Sequence, residues 1–434
     1  MELQAGLLLI TIFFVLLMFS VPISFSIILA ALGTITSFLT PKFGMFISAQ
    51  KLATGMDSFT LIAVPFFVLA GSLMGNGGIA KRLVNFALAC LGKVPGSLAH
   101  TNIVGNAMFG SISGSGVAAA AAIGGVIGPL EKDAGYEPGF SAAVNVATAP
   151  VGQLIPPTAA FIIYSLASGG TSVAALFIAG WLPGILWCIT CMVVAYIIAK
   201  KNNYIVKDSK FDFSLILKTF VDALPSLLLI VIIIGGIVSG VFTPTEAAGI
   251  AVAYTFILSI CIYKEIKLKD MPEILSETVT MTSIIMLIIG ASAVLSFVMS
   301  FTGLPEAISS FVLGISDNPV ILLIVLNIFL LIVGTFMDMA PAILIFTPIF
   351  LPIVTSFGMD PIHFGVMIVM NLAVGTITPP VGNVLFVGCS VAELEIEDVM
   401  TKMLPFYGAI VVALIMVTFI PSISLWLPKL LGMI

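Results

Sequence analysis

Charge is scarce in this chain. Charged residues make up 9% of its 434 residues, whereas hydrophobic residues make up 60%, and the mean hydropathy is +1.24. This balance excludes a water-soluble globular protein. The formal net charge of −5 leaves no basic surface for nucleic acid. Apolar runs such as "LLLIVIIIGGIVSGVF" are typical of membrane-spanning helices, so we predict an all-α polytopic protein of the lipid bilayer.

Residue types that carry catalysis or hold metals are also rare. The two histidines, His100 and His363, fall near predicted helix ends. Cys188 and Cys191 form a C-x-x-C inside an apolar run without a nearby histidine, so we interpret them as small residues facing the core or the lipid. No G-x-x-x-x-G-K-[ST] motif is present, which argues against ATP as the energy source. We therefore expect neither an enzyme nor a cofactor.

One unusual pattern occurs twice. Pro156-Pro157 in "VGQLIPPTAA" and Pro379-Pro380 in "VGTITPPVGN" are 379 − 156 = 223 positions apart. At the same offset "GYEP" matches "GMDP", so we predict two copies of one structural unit. The predicted parts are residues 1–199, the polar linker 200–218 and residues 219–434.

Lysines set the predicted orientation. By the positive-inside rule the linker lies in the cytoplasm, and counting spans backwards puts Lys81 and Arg82 there too. Their repeat-mate near Glu306 is acidic and falls on the opposite side, so the halves are predicted to be inverted, with both termini outside the cytoplasm. The N-terminal run "MELQAGLLLITIFF" lacks a basic region, so we expect a first span and not a signal peptide. Inverted repeats are the usual architecture of secondary transporters. The linker lysines are Lys200, Lys201, Lys207 and Lys210.

Each double proline falls inside an apolar stretch. Because proline lacks an N–H and clashes with the preceding turn, we predict broken helices over about 140–165 and 364–388. Carbonyls freed at membrane depth need partners, and unwound carbonyls are good ligands for sodium. A simple proline kink is the alternative, but two matched G-x-x-x-P-P patterns favour a pair of ion sites.

An interrupted apolar segment precedes each break. The first covers about 104–130 around "SISGSG", and the second covers about 320–356 around Gly334, Thr335 and Asp338. Two half-helices that meet at such a tip would form a re-entrant hairpin. Close helix packing is the alternative for the small residues, but it does not explain why the tip recurs before each break.

Two acids in apolar surroundings have different interpretations. Asp338 lies inside an apolar run, where an acid is a functional-site candidate by default. We favour helix capping or support of a cation over a protonation switch. Glu246 ends the string "TPTE", which is typical of a capping box with Thr243 as N-cap, so we predict a structural role.

Together, "VFTPTEAAG", "SISGSG", "GTFMDMAPA", "PVGQLIPP" and "AVGTITPP" resemble the large membrane subunit of tripartite ATP-independent periplasmic (TRAP) transporters over nearly the whole chain. The resemblance implies an elevator-type carrier of the bacterial inner membrane, with inverted repeats, two re-entrant hairpins and two broken helices. It implies sodium-driven uptake of an organic acid such as a C4-dicarboxylate, sialic acid or another sugar acid. It also implies two partners: a small four-helix membrane subunit, here a separate polypeptide, and a periplasmic substrate-binding protein.

The resemblance further implies that each sodium site lies where a hairpin tip meets the following broken helix. Thr376 and Thr378 stand where the first copy has Gln153 and Ile155, so the two sites should not be equivalent. The implied first site comprises Ser111, Ser113, Ser115, Gly152, Ile155 and Pro157. The implied second site comprises Gly334, Asp338, Gly375, Thr376, Thr378 and Pro380.

The chain has a single arginine, Arg82, at a predicted cytoplasmic loop, so we do not expect an arginine clamp on the substrate. We expect half-helix N-termini and backbone N–H groups to hold the carboxylate, in a crevice lined by Ser113, Ser115 and Thr335. A passive channel is one alternative. Another is a self-sufficient sodium–anion symporter of related architecture, which uptake by the chain alone would reveal.

Overall fold

The structure, a computed structural model, describes residues 2–91, 94–204, 213–304, 307, 314 and 318–434. Every regular element in these ranges is helical, and eight helical segments in them are long and apolar enough to cross a membrane. The predicted all-α membrane fold is confirmed. The α-helices are α1 (Glu2–Met18), α2 (Ile23–Phe38), α3 (Pro41–Met56), α4 (Ala63–Asn76), α5 (Ile79–Leu91), α6 (Ser97–Ser113), α7 (Gly116–Asp133), α8 (Pro138–Thr148), α9 (Ala159–Ala167), α10 (Val173–Lys201), α11 (Phe213–Val238), α12 (Pro244–Phe256), α13 (Met271–Thr302), α14 (Pro319–Phe336), α15 (Met339–Ser356), α16 (Pro361–Gly375), α17 (Asn383–Ala392), α18 (Ile396–Phe419) and α19 (Ser422–Leu430).

The helices pack in two groups. In the first group, α13 packs on α2, α3 and α4, while α12 packs on α4 and α11. In the second group, α6 to α10 pack with α14 to α19. α5 lies between the groups, against α6 and α11. α8 and α16 are buried along almost their whole length, so they form the centre of the second group.

The helix limits can be compared with the predicted ones. α6 and α7 span 97–133 around the predicted first hairpin, and α14 and α15 span 319–356 around the second. α10 ends at Lys201 and α11 begins at Phe213, both within the predicted linker range 200–218. The linker lysines Lys207 and Lys210, and Glu306 of the orientation argument, lie outside the described residues. The inverted orientation and the re-entrant insertion of the hairpins stay predictions.

The start of α12 shows the predicted capping box. Thr243 Oγ1 accepts from the backbone N–H of Glu246 at 3.3 Å, and Glu246 Oε2 accepts from the backbone N–H of Thr243 at 2.8 Å. Both bonds serve N–H groups that have no partner inside the helix. The structural role predicted for Glu246 is confirmed.

Replacing Glu246 by alanine is expected to lower the thermal unfolding midpoint, because the reciprocal bonds of the first turn are lost. Glu273→Ala is the matched control, since Glu273 lies in the first turn of α13 and the N-cap of that helix makes no side-chain cap bond. Thermal unfolding of both purified variants in detergent is the measurement. Equal midpoints would contradict the assigned role.

Candidate functional site

The first broken helix consists of α8 and α9. A single 3-10 turn, Ala149–Gln153, follows α8. Next comes the cis peptide Pro156-Pro157. These prolines have no N–H to donate, so a continuous helical ladder is impossible here. The Thr158 hydroxyl accepts from the Ala160 N–H at 3.2 Å and starts α9.

The second broken helix consists of α16 and α17. The Pro379-Pro380 peptide is also cis, and Pro380 is exposed. Gly382 has φ +52°, a left-handed conformation that favours glycine, and it directly precedes α17. The Val384 N–H then donates back to Thr376 O at 3.0 Å. The two breaks therefore share the cis double proline but restart their helices differently.

Each first hairpin arm meets its broken helix at a pair of glycines. A Cβ built on Gly152 would lie 2.2 Å from the carbonyl carbon of Gly110. A Cβ built on Gly375 would lie 2.3 Å from the carbonyl carbon of Gly334. Only residues without a side chain allow two backbones to approach this closely. The same contact thus occurs in both halves, and in each half it places a hairpin arm directly against the break.

The second hairpin arms pack across the halves. α7 packs against α17, and α15 packs against α9. A Cβ on Gly116, the first residue of α7, would lie 3.1 Å from Val384 Cγ2. Each hairpin therefore touches both broken helices.

The two tips begin their second arms differently. Ser115 caps α7, since its Oγ accepts from the Ala118 N–H at 3.2 Å. Asp338 precedes α15, but its side chain makes no capping bond there. Its Oδ1 accepts from Asn383 Nδ2 at 3.2 Å instead. The structure therefore does not support side-chain capping by Asp338, and it leaves the N-terminus of α15 open.

Hydroxyl groups at both tips and at the second break donate to carbonyls three or four residues earlier in the chain. Because the single proton of each hydroxyl is used, its oxygen keeps lone pairs free to accept a bond. Such oxygens suit a small, hard cation, so the residues present fit sodium. The four bonds are Ser111 Oγ to Met108 O (2.8 Å), Thr335 Oγ1 to Ile332 O (2.7 Å), Thr376 Oγ1 to Ala373 O (2.7 Å) and Thr378 Oγ1 to Val374 O (2.8 Å).

The other residues of the predicted first site surround its tip. The carbonyl oxygen of Ser113 would lie 3.0 Å from a Cβ on Gly71 of α4, so this tip reaches the first helix group. The carbonyl oxygen of Pro157 would lie 3.6 Å from a Cβ on Gly114. Ile155 is buried. The crevice between Ser113 and Thr335, and the ligand roles of all these residues, stay predictions.

Sequence reasoning missed buried amides beside the first break. Asn106 Nδ2 lies 3.0 Å from Thr148 Oγ1 and 3.1 Å from Asn145 Oδ1, and all three residues are buried. Asn145 Nδ2 donates to Ala120 O at 2.8 Å. This polar group therefore ties both arms of the first hairpin to α8.

A second amide group lies beside the other break. Asn371 Nδ2 donates to Asn327 Oδ1 at 2.8 Å, and Thr418 Oγ1 donates to the same oxygen at 3.1 Å. These bonds tie α14 to α16 and α18. Thr148 and Asn371 are 371 − 148 = 223 positions apart, which is the repeat offset. The rarity of amides in apolar helices is the signal that could have found both groups.

Comparison with known proteins identifies the family. Residues 10–423 match the sequence profile described as "Tripartite ATP-independent periplasmic transporter, DctM component". The chain belongs to this family. It is 50% identical over 418 residues to the protein YgiK of Salmonella typhimurium, covering 96% of each chain. It is 39% identical over 417 residues to the sialic acid TRAP transporter large permease protein SiaM of Vibrio cholerae, covering 96% of each. It is 40% identical over 387 residues to the C4-dicarboxylate TRAP transporter large permease protein DctM of Pseudomonas aeruginosa, covering 89% of this chain and 90% of that one.

The fold resembles that of a solved transporter. The YdaH transporter of Alcanivorax borkumensis superposes with a TM-score of 0.59 at 14% identity, over 86% of this chain and 88% of the other. The TRAP permease described here is thus a multi-pass protein of the bacterial inner membrane and not an enzyme. Because its family is tripartite, the alternative of a self-sufficient symporter is not favoured.

Arg82 of this TRAP permease belongs to a structural cluster. Its Nε lies 3.5 Å from Asp222 Oδ1, and its Nη1 lies 3.8 Å from Glu265 Oε1. The guanidinium also lies 3.6 Å from the ring centroid of Tyr263. These contacts join α5 to the first helix group, which agrees with the expectation that Arg82 does not hold substrate.

Cys188 and Cys191 are buried and unpaired in α10, so they face the core. His363 Nε2 lies 3.2 Å from Thr418 O. Within the described residues, no group of three or more His, Cys, Asp or Glu side chains could hold a metal ion.

Proposed function

We propose that this chain is the sodium-coupled permease of a TRAP transporter that imports an organic acid. A periplasmic binding protein delivers the acid, a small membrane subunit accompanies the permease, and an elevator movement of the second helix group gives alternating access. Family membership supports the tripartite arrangement. The sodium sites are argued from the geometry of the breaks, and the organic acid is argued from the names of relatives.

The observation that carries the proposal is the repeated glycine contact, Gly110 on Gly152 and Gly334 on Gly375. Each contact holds a hairpin arm against backbone that proline has unwound. Irregular backbone at membrane depth is tolerated where it lines a site, and its carbonyls are ligands for a coupling cation. Two such places fit two sodium sites.

The two sodium sites would differ in their ligands. The first would combine hydroxyls of the first tip, such as Ser111, with carbonyls near Gly152. The second would combine the tip around Gly334 with Thr376 and Thr378, whose oxygens keep lone pairs. Asp338 is exposed beside Asn383 and would add negative charge near the second site.

The substrate is proposed to be a carboxylate. The relatives SiaM and DctM are named for sialic acid and C4-dicarboxylates, both of which carry carboxylates. The N-terminus of α15 has no side-chain cap, so its N–H groups and positive dipole end are available to an anion. Ser113, Ser115 and Thr335 would complete this site. Sodium ions beside the carboxylate would neutralise its charge in the dry interior, which favours the loaded state during movement.

Replacing Thr378 by valine is expected to raise the sodium concentration needed for half-maximal stabilisation about tenfold, because the loss of one buried polar interaction is worth about 1–3 kcal/mol. The measurement is the thermal midpoint of the purified chain against sodium chloride, at constant ionic strength with choline chloride. In the wild type, saturating sodium should stabilise the chain by RT ln(1 + [Na⁺]/Kd).

Thr36→Val is the matched control. Thr36 Oγ1 donates to Leu32 O at 2.8 Å, four residues earlier, just as Thr378 Oγ1 donates to Val374 O at 2.8 Å. Both threonines are half-buried, but Thr36 lies in α2, away from the breaks. If both variants need the same sodium concentration for half-maximal stabilisation, Thr378 is not a sodium ligand. A wild-type chain that is stabilised equally by sodium, potassium and choline would contradict the sodium coupling itself.

A further inference from the structure

A cavity of about 310 Å³ with both apolar and polar lining residues lies away from the hairpin tips, between the ends of α7 and α17 and the starts of α6 and α8. Its rim carries the exposed residues Lys132 and Glu393. Its floor carries the buried residues Asn102, Glu131 and Ser141. The polar side chains on the floor and at the rim give water hydrogen-bond partners in a cavity of this volume.

Glu131 is the unusual group of this floor. Its side chain is 0% exposed, and neither carboxylate oxygen has a hydrogen bond of ordinary geometry with the described residues. Within the same part of the chain it has no ion-pair partner within 4.0 Å. It also lies in the last turn of α7, where the helix dipole disfavours negative charge. A buried carboxylate that has only neutral neighbours, here Ser141 and Asn102, and no cationic partner is unfavourable unless it is neutralised.

The neighbours of Glu131 begin a chain of buried polar groups. Asn102 and Ser141 face its carboxylate across the cavity floor. Asn102 Oδ1 accepts from Asn106 Nδ2 at 2.9 Å, and Asn106 Nδ2 lies 3.0 Å from Thr148 Oγ1. Thr148 is the last residue of α8, directly before the first break. Amide and hydroxyl groups thus connect Glu131 with the predicted first ion site.

We propose that Glu131 is a proton-binding site, reached through this cavity and linked through Asn102, Asn106 and Thr148 to the first break. The proton comes from water in the cavity and returns to it, so no other reactant is needed. The link to sodium rests on the proposed function, whereas proton binding by Glu131 does not.

The other titratable groups near α7 are either exposed, paired with another charge, or close to the cavity. On α5, Lys81 is exposed and Arg82 is paired with Asp222 and Glu265. Glu137, before α8, is paired with Lys402 of α18 at 2.6 Å. The groups that face the cavity or its surroundings are Lys132 and Asp133 on α7, Tyr136 after it, Glu393 after α17 and the buried His100 on α6.

The sign of the coupling follows from charge. Ionised Glu131 attracts a cation at the first break, so sodium binding and proton binding oppose each other. From Gly116 to Glu131 the helical rise is about 22 Å. At that separation, an effective dielectric constant of about 20 gives roughly a threefold change in sodium affinity. Acidification should therefore raise the half-saturating sodium concentration about threefold, and alkali should lower it.

The experiment compares the wild type with Glu131→Gln, which is close in shape to the protonated acid, and with Glu393→Gln at the cavity rim. Infrared spectra of sodium-free protein at about pH 6, where exposed carboxylates of pKa about 4 are ionised, report a buried protonated carboxyl by its carbonyl stretch. We expect this band in the wild type and in Glu393→Gln, and its loss in Glu131→Gln. A wild type without the band, or a band that survives in Glu131→Gln, would overturn the proton site.

The second readout is the half-saturating sodium concentration for thermal stabilisation at acid and alkaline pH. Glu131→Gln should keep the weaker, acid-like value at both, while Glu393→Gln should follow the wild type. A pH dependence unchanged in Glu131→Gln would overturn the link to the ion site but leave the infrared result standing. If Glu131→Gln does not fold, Glu131→Asp replaces it, and the band should titrate at a shifted pH. An unshifted titration would assign the band to another acid and refute the proposal.

Discussion

Alanine at Gly375 is expected to remove the contribution of the second site to the sodium-dependent rise in thermal stability and to destabilise the chain by about 2–4 kcal/mol. The added Cβ would lie 2.3 Å from the carbonyl carbon of Gly334 and 2.4 Å from its Cα. Both are backbone atoms, so no side chain can move aside. α14 and α16 must separate, which displaces the second hairpin tip from the carbonyls of the break. The same change at Gly152, against Gly110, should act on the first site.

Gly408→Ala is the matched control for these variants. Gly408 lies within α18 of the same helix group, and a Cβ there would meet nothing within 4 Å. Alanine should therefore be neutral or stabilising at this position, by up to about 1 kcal/mol. The measurement is the thermal midpoint of each purified variant with sodium and with choline. A Gly375→Ala chain with the wild-type midpoint and sodium response would show that the glycine contact does not define the site.

Replacing Asn106 by leucine is expected to lower the free energy of unfolding by about 2–4 kcal/mol, although the two side chains have similar volumes. The two N–H groups of Asn106 Nδ2 serve oxygens of Asn102, Asn145 and Thr148 at 2.9 to 3.1 Å. Leucine would leave these buried acceptors without their donor, in surroundings that contain little water to replace it.

Asn76→Leu is the control for the amide variant. Asn76 Nδ2 donates to Ser72 O at 3.0 Å, but the side chain is exposed at the end of α4, so its loss should be worth less than about 0.5 kcal/mol. The measurement is the free energy of unfolding of both variants, from denaturation in the same detergent. Similar losses of stability would contradict the importance assigned to the buried network.

Local rules account for what could be predicted about this TRAP permease. Proline and glycine act on the backbone within a few residues, so the double prolines marked both breaks and "TPTE" marked the start of α12. α14 is continuously apolar, so the sequence indicates it clearly. α6 begins at Ser97 with the polar string "SLAHTN", which does not look like a membrane helix. Burial inside the second helix group is what makes that string acceptable.

By itself the sequence determined the membrane class, the repeat at an offset of 223 and the two breaks, because hydrophobicity and proline geometry act locally. The tertiary structure alone decided which surfaces meet: Gly110 with Gly152, Gly334 with Gly375, and each second hairpin arm with the broken helix of the other half. It also decided that Glu131 is buried whereas Lys132 and Asp133, next to it in "EKDAG", are exposed. These outcomes depend on packing between segments far apart in the chain, and the local sequence does not predict that packing.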